Sequence, residues 1–391
     1  MKNLLSNRIQ NVPESFIRSI LKVSTQPDVI SFAGGLPSAD LFPIEGLENA
    51  CHKVLQTNGK KALQYSSSEG DSDLRAWISQ RYQEKQGLNI SPSNILITNG
   101  SQQALDLLGK VLLNEGDPIA IENPGYLGAI QSFSLYQPIM HTVAIDENGL
   151  DTKQLADVLE EHKPKLLYTV PNFQNPTGIS YSQENREAVA QIVSQHDILL
   201  VQDDPYGELR FSGEQKSNFY ELLPEQTLLL GSFSKVVVPS FRLGWIVAPD
   251  WLMKPLVIAK QAADLHTNYF SQQVISQYLQ DNALDDHIEK ITHFYGKQKQ
   301  AMMDAISEHF PGDVKVAEPE GGMFLWITLP KGVSAMKLFD KAVQEKVAFV
   351  PGKPFYVGDE VQENTMRLSY VTVDEAKISE GIKRLAYCMK D

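Results

Sequence analysis

Between residues 95 and 249 the chain carries six continuous apolar runs: ILIT (95–98), PIAIE (118–122), KLLYTV (165–170), ILLVQDD (198–204), TLLLGS (227–232) and WIVAP (245–249). Longer segments with apolar residues at helical spacing separate them. Unbroken runs of this length suit strands covered on both faces, and their alternation with helices predicts βαβ units and a mostly parallel sheet. Upstream, Leu47, Ala50, Cys51, Val54 and Leu55 fall on one helical face that Asn58 and Gly59 end, and Asp71 to Gly87 reads as a second helix with acidic residues at its start. After about residue 280 the pattern changes. A long polar helix is predicted over 287–309, a strand over 321–329, a helix from Ser334 and a short strand at 348–350. These elements predict a smaller α+β domain, with EPEGG before Phe324 as a boundary turn. The expected division is a large domain over 41–280 and a small domain built from 1–40 and 281–391.

Ligands on such sheets bind at the carboxyl ends of strands. Gly100 and Ser101 follow the first run, Tyr126 the second and Asn175 the third, Asp203 ends the fourth, and Lys235 follows the fifth. Five strand ends therefore converge on one crevice. The segment GSFSKVVVPSFRLGW (231–245) is the most telling part of it. Lys235 can condense with a carbonyl as a Schiff base, while Ser232, Ser234 and Arg242 offer hydroxyls and a planar fork to a phosphate. Pyridoxal phosphate carries both groups. The strand-to-helix turn at Gly100, Ser101 and Gln102 adds free N–H groups and the positive end of a helix dipole. A pyridine nitrogen needs a buried carboxylate to stay protonated. Asp203 is well placed for that role, although the adjacent Asp204 leaves the choice open. Tyr206 can donate to the ring's 3-oxygen, Asn175 to that oxygen or to a substrate carboxylate, and Tyr126 can stack on the ring. Arg367, on an apolar strand of the small domain, offers a fork to the α-carboxylate of an amino acid, or else pairs with a protein carboxylate.

Composition narrows the picture further. The chain has 391 residues, 42% of them hydrophobic, enough for two cores. A net charge of −13 without basic runs argues against a nucleic-acid surface. MKNLLSNRIQ lacks the apolar core of a signal peptide, and no stretch approaches the roughly 18 apolar residues of a membrane span, so a cytoplasmic location is expected. Two cysteines without a CxxC pair suggest neither a disulfide framework nor a metal site.

NPTG, DDPY, SFSK with Arg242 seven residues beyond Lys235, and MRLSY follow one another in the order found in the fold type I, class I and II aminotransferases, which the chain resembles over nearly its full length. GGLPSADLFP, YSSSEGDSDLRAW, GSQQALDLLGK and AADLHT (262–267) place it near the subgroup containing 2-aminoadipate, kynurenine and aromatic aminotransferases. The resemblance implies an aspartate-aminotransferase-like α/β fold with pyridoxal 5′-phosphate as cofactor. It makes Lys235 the Schiff-base lysine and proton shuttle. It pairs Asp203 with the pyridine nitrogen, sets Asn175 and Tyr206 on the 3-oxygen and stacks Tyr126 on the ring. Gly100, Ser101, Gln102, Ser232, Ser234 and Arg242 would then hold the phosphate, and Arg367 the α-carboxylate. Such enzymes are homodimers with shared sites, so Tyr65 is expected to reach the neighbouring subunit's phosphate. Gly34 and Gly35 would allow close approach of substrate, and Ser15 and Arg18 would meet its side chain. The implied reaction moves an amino group from 2-aminoadipate, or from a broader range including aromatic and branched-chain amino acids, to 2-oxoglutarate by a ping-pong cycle. The same scaffold also supports lyase or decarboxylase chemistry. A noncatalytic sensing module of the kind fused to winged-helix regions in bacterial regulators is a third reading. The intact Lys235, Asp203 and Arg367 weigh against it, and no winged-helix region is read before the domain.

Overall fold

The computed structural model describes residues 4–10, 20, 26, 28–359 and 361–390. Its centre is an eight-stranded sheet. The strands are β2 (Ile95–Thr98), β3 (Pro118–Asn123), β4 (Ile139–Asp146), β5 (Gly149–Leu150), β6 (Leu166–Thr169), β7 (Leu199–Asp203), β8 (Thr227–Ser232) and β9 (Gly244–Val247), in the order β2-β9-β8-β7-β6-β3-β4-β5. Every residue of β2, β6 and β8 is buried, because helices cover both faces, and this explains the unbroken apolar runs. All six predicted runs are strands, with ends moved by one or two residues. β9 runs antiparallel between β2 and β8, an arrangement the apolar run could not reveal. The sequence pattern also missed β4. It lies towards the sheet edge with exposed Ile139 and only Val143 fully buried, so no apolar run marks it.

Helices flank this sheet, among them α1 (Ile44–Ala62), α2 (Ser72–Gln86) and α3 (Gly100–Leu112), of which α3 brings Ser101 and Gln102 to the site. α2 has the predicted bounds, because the Asp71 side chain accepts from the amide of Leu74 and Gly87 ends the helix at φ 69°. α1 outruns its expected stop. Asn58 leaves helical geometry (φ −138°) but the helix resumes to Ala62, and Leu55 stays 49% exposed instead of joining the buried face of Leu47, Ala50 and Val54.

A second, antiparallel sheet is built from β10 (Lys315–Ala317), β11 (Phe324–Thr328), β13 (Val350–Pro351) and β14 (Thr365–Ser369). The run at 348–350 is divided. Val347–Ala348 (β12) pairs with Ile30–Ser31 (β1), while Val350 pairs with Arg367 on β14. The predicted long helix spans Leu284–His309, and Ser334 precedes the helix Ala335–Gln344. Among the described residues no helix is long and apolar enough to cross a membrane.

Candidate active site

The carboxyl ends of β2, β3, β6, β7 and β8 open on one cavity of about 430 Å³. Ser101 and Gln102 reach it after β2, Tyr126 after β3 and Asn175 after β6. Asp203 is the last residue of β7 and Tyr206 lies in the loop beyond it, while Ser232, Ser234, Lys235 and Arg242 come from β8 and the turn towards β9. Arg367 arrives on β14 of the smaller sheet.

At one end the groups suit an anion. The first turn of α3 starts at Gly100, whose φ of +73° favours glycine and whose missing Cβ leaves room for Arg242: a methyl there would lie 2.5 Å from Nη2. That guanidinium rests on the carbonyl of Asn99 at 3.3 Å. The Ser234 amide donates to Ser232 Oγ at 3.0 Å, which holds both hydroxyl residues in one turn. Gln102 is less free than expected, since its Nε2 donates to the Gly128 carbonyl at 2.9 Å. A helix N-terminus, two hydroxyls and an arginine together make a phosphate cradle.

At the other end stands Asp203, 1% exposed. Tyr168 donates to its Oδ2 at 2.7 Å, and Oδ1 has no partner among the described residues. Burial pushes this carboxyl up to about 7, with Asp204 and Glu122 adding to the rise and Tyr168 opposing it. A buried carboxylate with an orphaned oxygen wants a cationic donor. A protonated pyridine nitrogen offers charge and N–H together, so the residues present fit pyridoxal phosphate. Asp204 points away, into a separate cavity beside Asn172 and Arg186, so only Asp203 shares the space with Lys235.

The Lys235 amine donates to the Gly35 carbonyl at 2.7 Å. Burial, and then the Arg367 and Arg242 cations, lower it to about 8. Arg367 is buried, and no side-chain carboxylate among the described residues pairs with it. Its Nη1 donates to Asn175 Oδ1 at 2.7 Å and its Nη2 to the Ala33 carbonyl at 2.9 Å, while Nε has no partner among the described residues. The guanidinium lies over the rings of Phe324 (4.2 Å) and Phe355 (5.3 Å). Asn175 Nδ2 donates in turn to the Tyr206 hydroxyl at 3.3 Å.

Some expected residues stand elsewhere. Tyr65 is 78% exposed, outside the cavity, with its ring edge-on to His266. Gly35 lines the cavity and Gly34 does not; a Cβ at Gly35 would come within 3.4 Å of the Phe324 ring. Ser15 and Arg18 lie outside the described residues. Sequence reasoning missed Tyr168, Phe324 and Phe355. It also missed Glu122, which accepts from the Val170 amide and Gln174 Nε2 and so anchors the loop that presents Asn175. Tyr168 pairs with Val201, two residues before Asp203, which puts it on the same face of the sheet; only the register reveals that.

The profile of the family described as aminotransferase class I and II matches residues 28–385. Aromatic-amino-acid aminotransferase 1 of Thermococcus litoralis is 42% identical over 392 residues, covering 99% of this chain and 94% of its own. The 2-aminoadipate transaminase of Thermus thermophilus is also 42% identical, over 383 residues, covering 97% of this chain and 94% of its own. Among solved structures, Pyrococcus horikoshii kynurenine aminotransferase in complex with PMP superposes with a TM-score of 0.95 at 40% identity, covering 100% of this chain and 97% of that one.

Proposed function

Because the chain belongs to the class I and II aminotransferases, we propose that it takes the amino group from 2-aminoadipate or a similarly long amino acid and delivers it to 2-oxoglutarate in a ping-pong cycle. It is a pyridoxal 5′-phosphate-dependent transaminase. The cofactor, when bound, supplies an aldehyde that condenses with amines and a ring that withdraws electrons from the carbon beside the substrate's carboxylate. The chain's residues do the rest. Lys235 Nζ, in the same cavity, would be the group that takes the proton from the substrate's α-carbon and returns it. Asp203 Oδ1 would hold the proton on the ring nitrogen, with Tyr168 fixing the other oxygen. Tyr206 and Asn175 would hold the ring's 3-oxygen, Tyr126 would cover the ring, and the turn at Gly100, Ser101 and Gln102 would join Ser232, Ser234 and Arg242 on the phosphate.

The observation that carries this reading is Arg367, a buried guanidinium with no anionic partner among the described residues, in the same cavity as the Lys235 amine. A buried cation in that state is costly unless a ligand completes it, and the α-carboxylate of an amino acid does so with a bidentate pair. Phe324 and Phe355 exclude water around that pair. Two protomers complete the assembly, with exposed Tyr65 reaching the partner's phosphate. The division into a large domain over 41–280 and a small one from 1–40 and 281–391 is supported by the pairing of Ile30 with Val347.

Aromatic donors are the second reading, favoured by the apolar side chains of Leu36, Leu127, Val170 and Phe355 on the cavity wall. A panel of amino donors against 2-oxoglutarate, run on wild-type and Arg367→Ala enzyme, tests both readings. We expect 2-aminoadipate to give the highest kcat/KM, followed by phenylalanine and tyrosine. Arg367→Ala should lower kcat/KM for every donor by about a hundred-fold, the worth of one to two charged hydrogen bonds. A loss confined to one donor would show that Arg367 serves a side chain and not the α-carboxylate.

A further inference from the structure

The segment AADLHT (262–267) has no part in the chemistry assigned to the cavity. It ends the helix Asp250–Asp264 and runs alongside the turn between β2 and α3. Asp264 is the focus. Its carboxylate takes Lys260 Nζ at 2.6 and 2.8 Å, Asn99 Nδ2 at 2.5 Å and Gln103 Nε2 at 2.7 Å. Lys260 is wholly buried, while Asp264 is partly exposed. Gln103 returns a bond to the same turn, its Oε1 accepting from the Asn99 amide at 2.8 Å, and Thr267 donates to the Ile97 carbonyl at 3.2 Å.

Asn99 occupies the N-cap position of α3 yet makes no side-chain capping bond among the described residues. An asparagine there ordinarily accepts from the second or third amide of the helix, here those of Ser101 and Gln102. Those amides belong to the turn assigned to the phosphate, so a self-capped α3 would compete with the anion. Asp264 holds the Asn99 side chain elsewhere, and the Asn99 carbonyl, fixed by the same tether, is the one on which Arg242 rests.

We propose that Asp264 is a positioning residue for the phosphate subsite: by drawing the Asn99 amide away from the N-terminus of α3, it keeps the Ser101 and Gln102 amides open to the cofactor's phosphate. This inference rests on the reading that this turn, Ser234 and Arg242 bind phosphate.

Dissociation constants of pyridoxal 5′-phosphate and of pyridoxal, which lacks the phosphate, measured on the full chain by equilibrium dialysis, test it. Asp264→Ala should weaken the phosphorylated ligand by about ten- to a hundred-fold and change pyridoxal by less than about two-fold. Adding Asn99→Ala removes the competing cap and should restore affinity to within about three-fold of wild type. Should Asp264→Ala fail to fold, Asp264→Asn, which keeps the volume and one acceptor, should give a smaller loss on the phosphorylated ligand alone. Equal weakening of both ligands, or no recovery on adding Asn99→Ala, overturns the proposal. Ser234→Ala and Arg242→Ala in the same assay isolate its premise. If these two do not discriminate between the ligands, the phosphate reading itself fails; if they do and the Asp264 variants do not, only the role of Asp264 falls.

Discussion

Lys235→Ala is expected to abolish transamination, with kcat falling by about four orders of magnitude, the upper range for losing a positioned acid–base group. The purified variant should also lose the visible absorbance of the lysine-bound cofactor while retaining cofactor through the phosphate groups around Ser234 and Arg242. Full turnover in this variant would remove the amine from the reaction. A pH dependence accompanies it. Burial foremost, then Arg367 and Arg242, lower the amine to about 8 in the cofactor-free site. The attacking form is the neutral one, so its fraction grows as pH rises towards that value. Reconstitution of the cofactor-free chain should therefore accelerate about ten-fold per pH unit below pH 8 and level off above it. A reconstitution rate that is flat across this range would contradict the assignment.

Asp203→Asn should be the second severe change. The amide keeps the shape and the bond with Tyr168 but carries no charge to hold a protonated ring nitrogen. Losing one preorganised electrostatic partner in a buried site costs about 10²–10³ in kcat. Asp204→Asn, on the other side of β7, should cost less than about ten-fold. Steady-state rates of the two variants side by side decide it, and the opposite ranking would mean that the ring nitrogen meets the other carboxylate.

The choice between these two neighbours shows where sequence stops informing. The apolar runs announced β7, and any strand sends consecutive side chains to opposite faces. Both faces of β7 are buried, however, so no polar alternation says which aspartate meets the ligand. The convergence of Ser101, Tyr126, Asn175, Asp203 and Lys235 was legible because each follows an apolar run at a strand's carboxyl end. The helix Ser72–Gln86 was legible for another local reason, its caps Asp71 and Gly87. What stayed hidden depends on register or on distant partners. Tyr168 reaches Asp203 only through the pairing of β6 with β7. Phe324 and Phe355 meet Arg367 only once the smaller sheet closes on the larger. Nor could sequence tell that Arg367 meets no carboxylate among the described residues, the fact that most favours a substrate carboxylate there.

A half-reaction tests the central claim most directly. The holoenzyme is mixed with an excess of 2-aminoadipate, without any oxo acid, and the oxo acid formed is counted against active sites. A transaminase should yield about one equivalent per site, lose its visible band, and regain it when 2-oxoglutarate is added. Continued consumption of the amino acid beyond one equivalent without an acceptor, with release of ammonia or of carbon dioxide and an amine, would contradict this account and point to lyase or decarboxylase chemistry on the same scaffold.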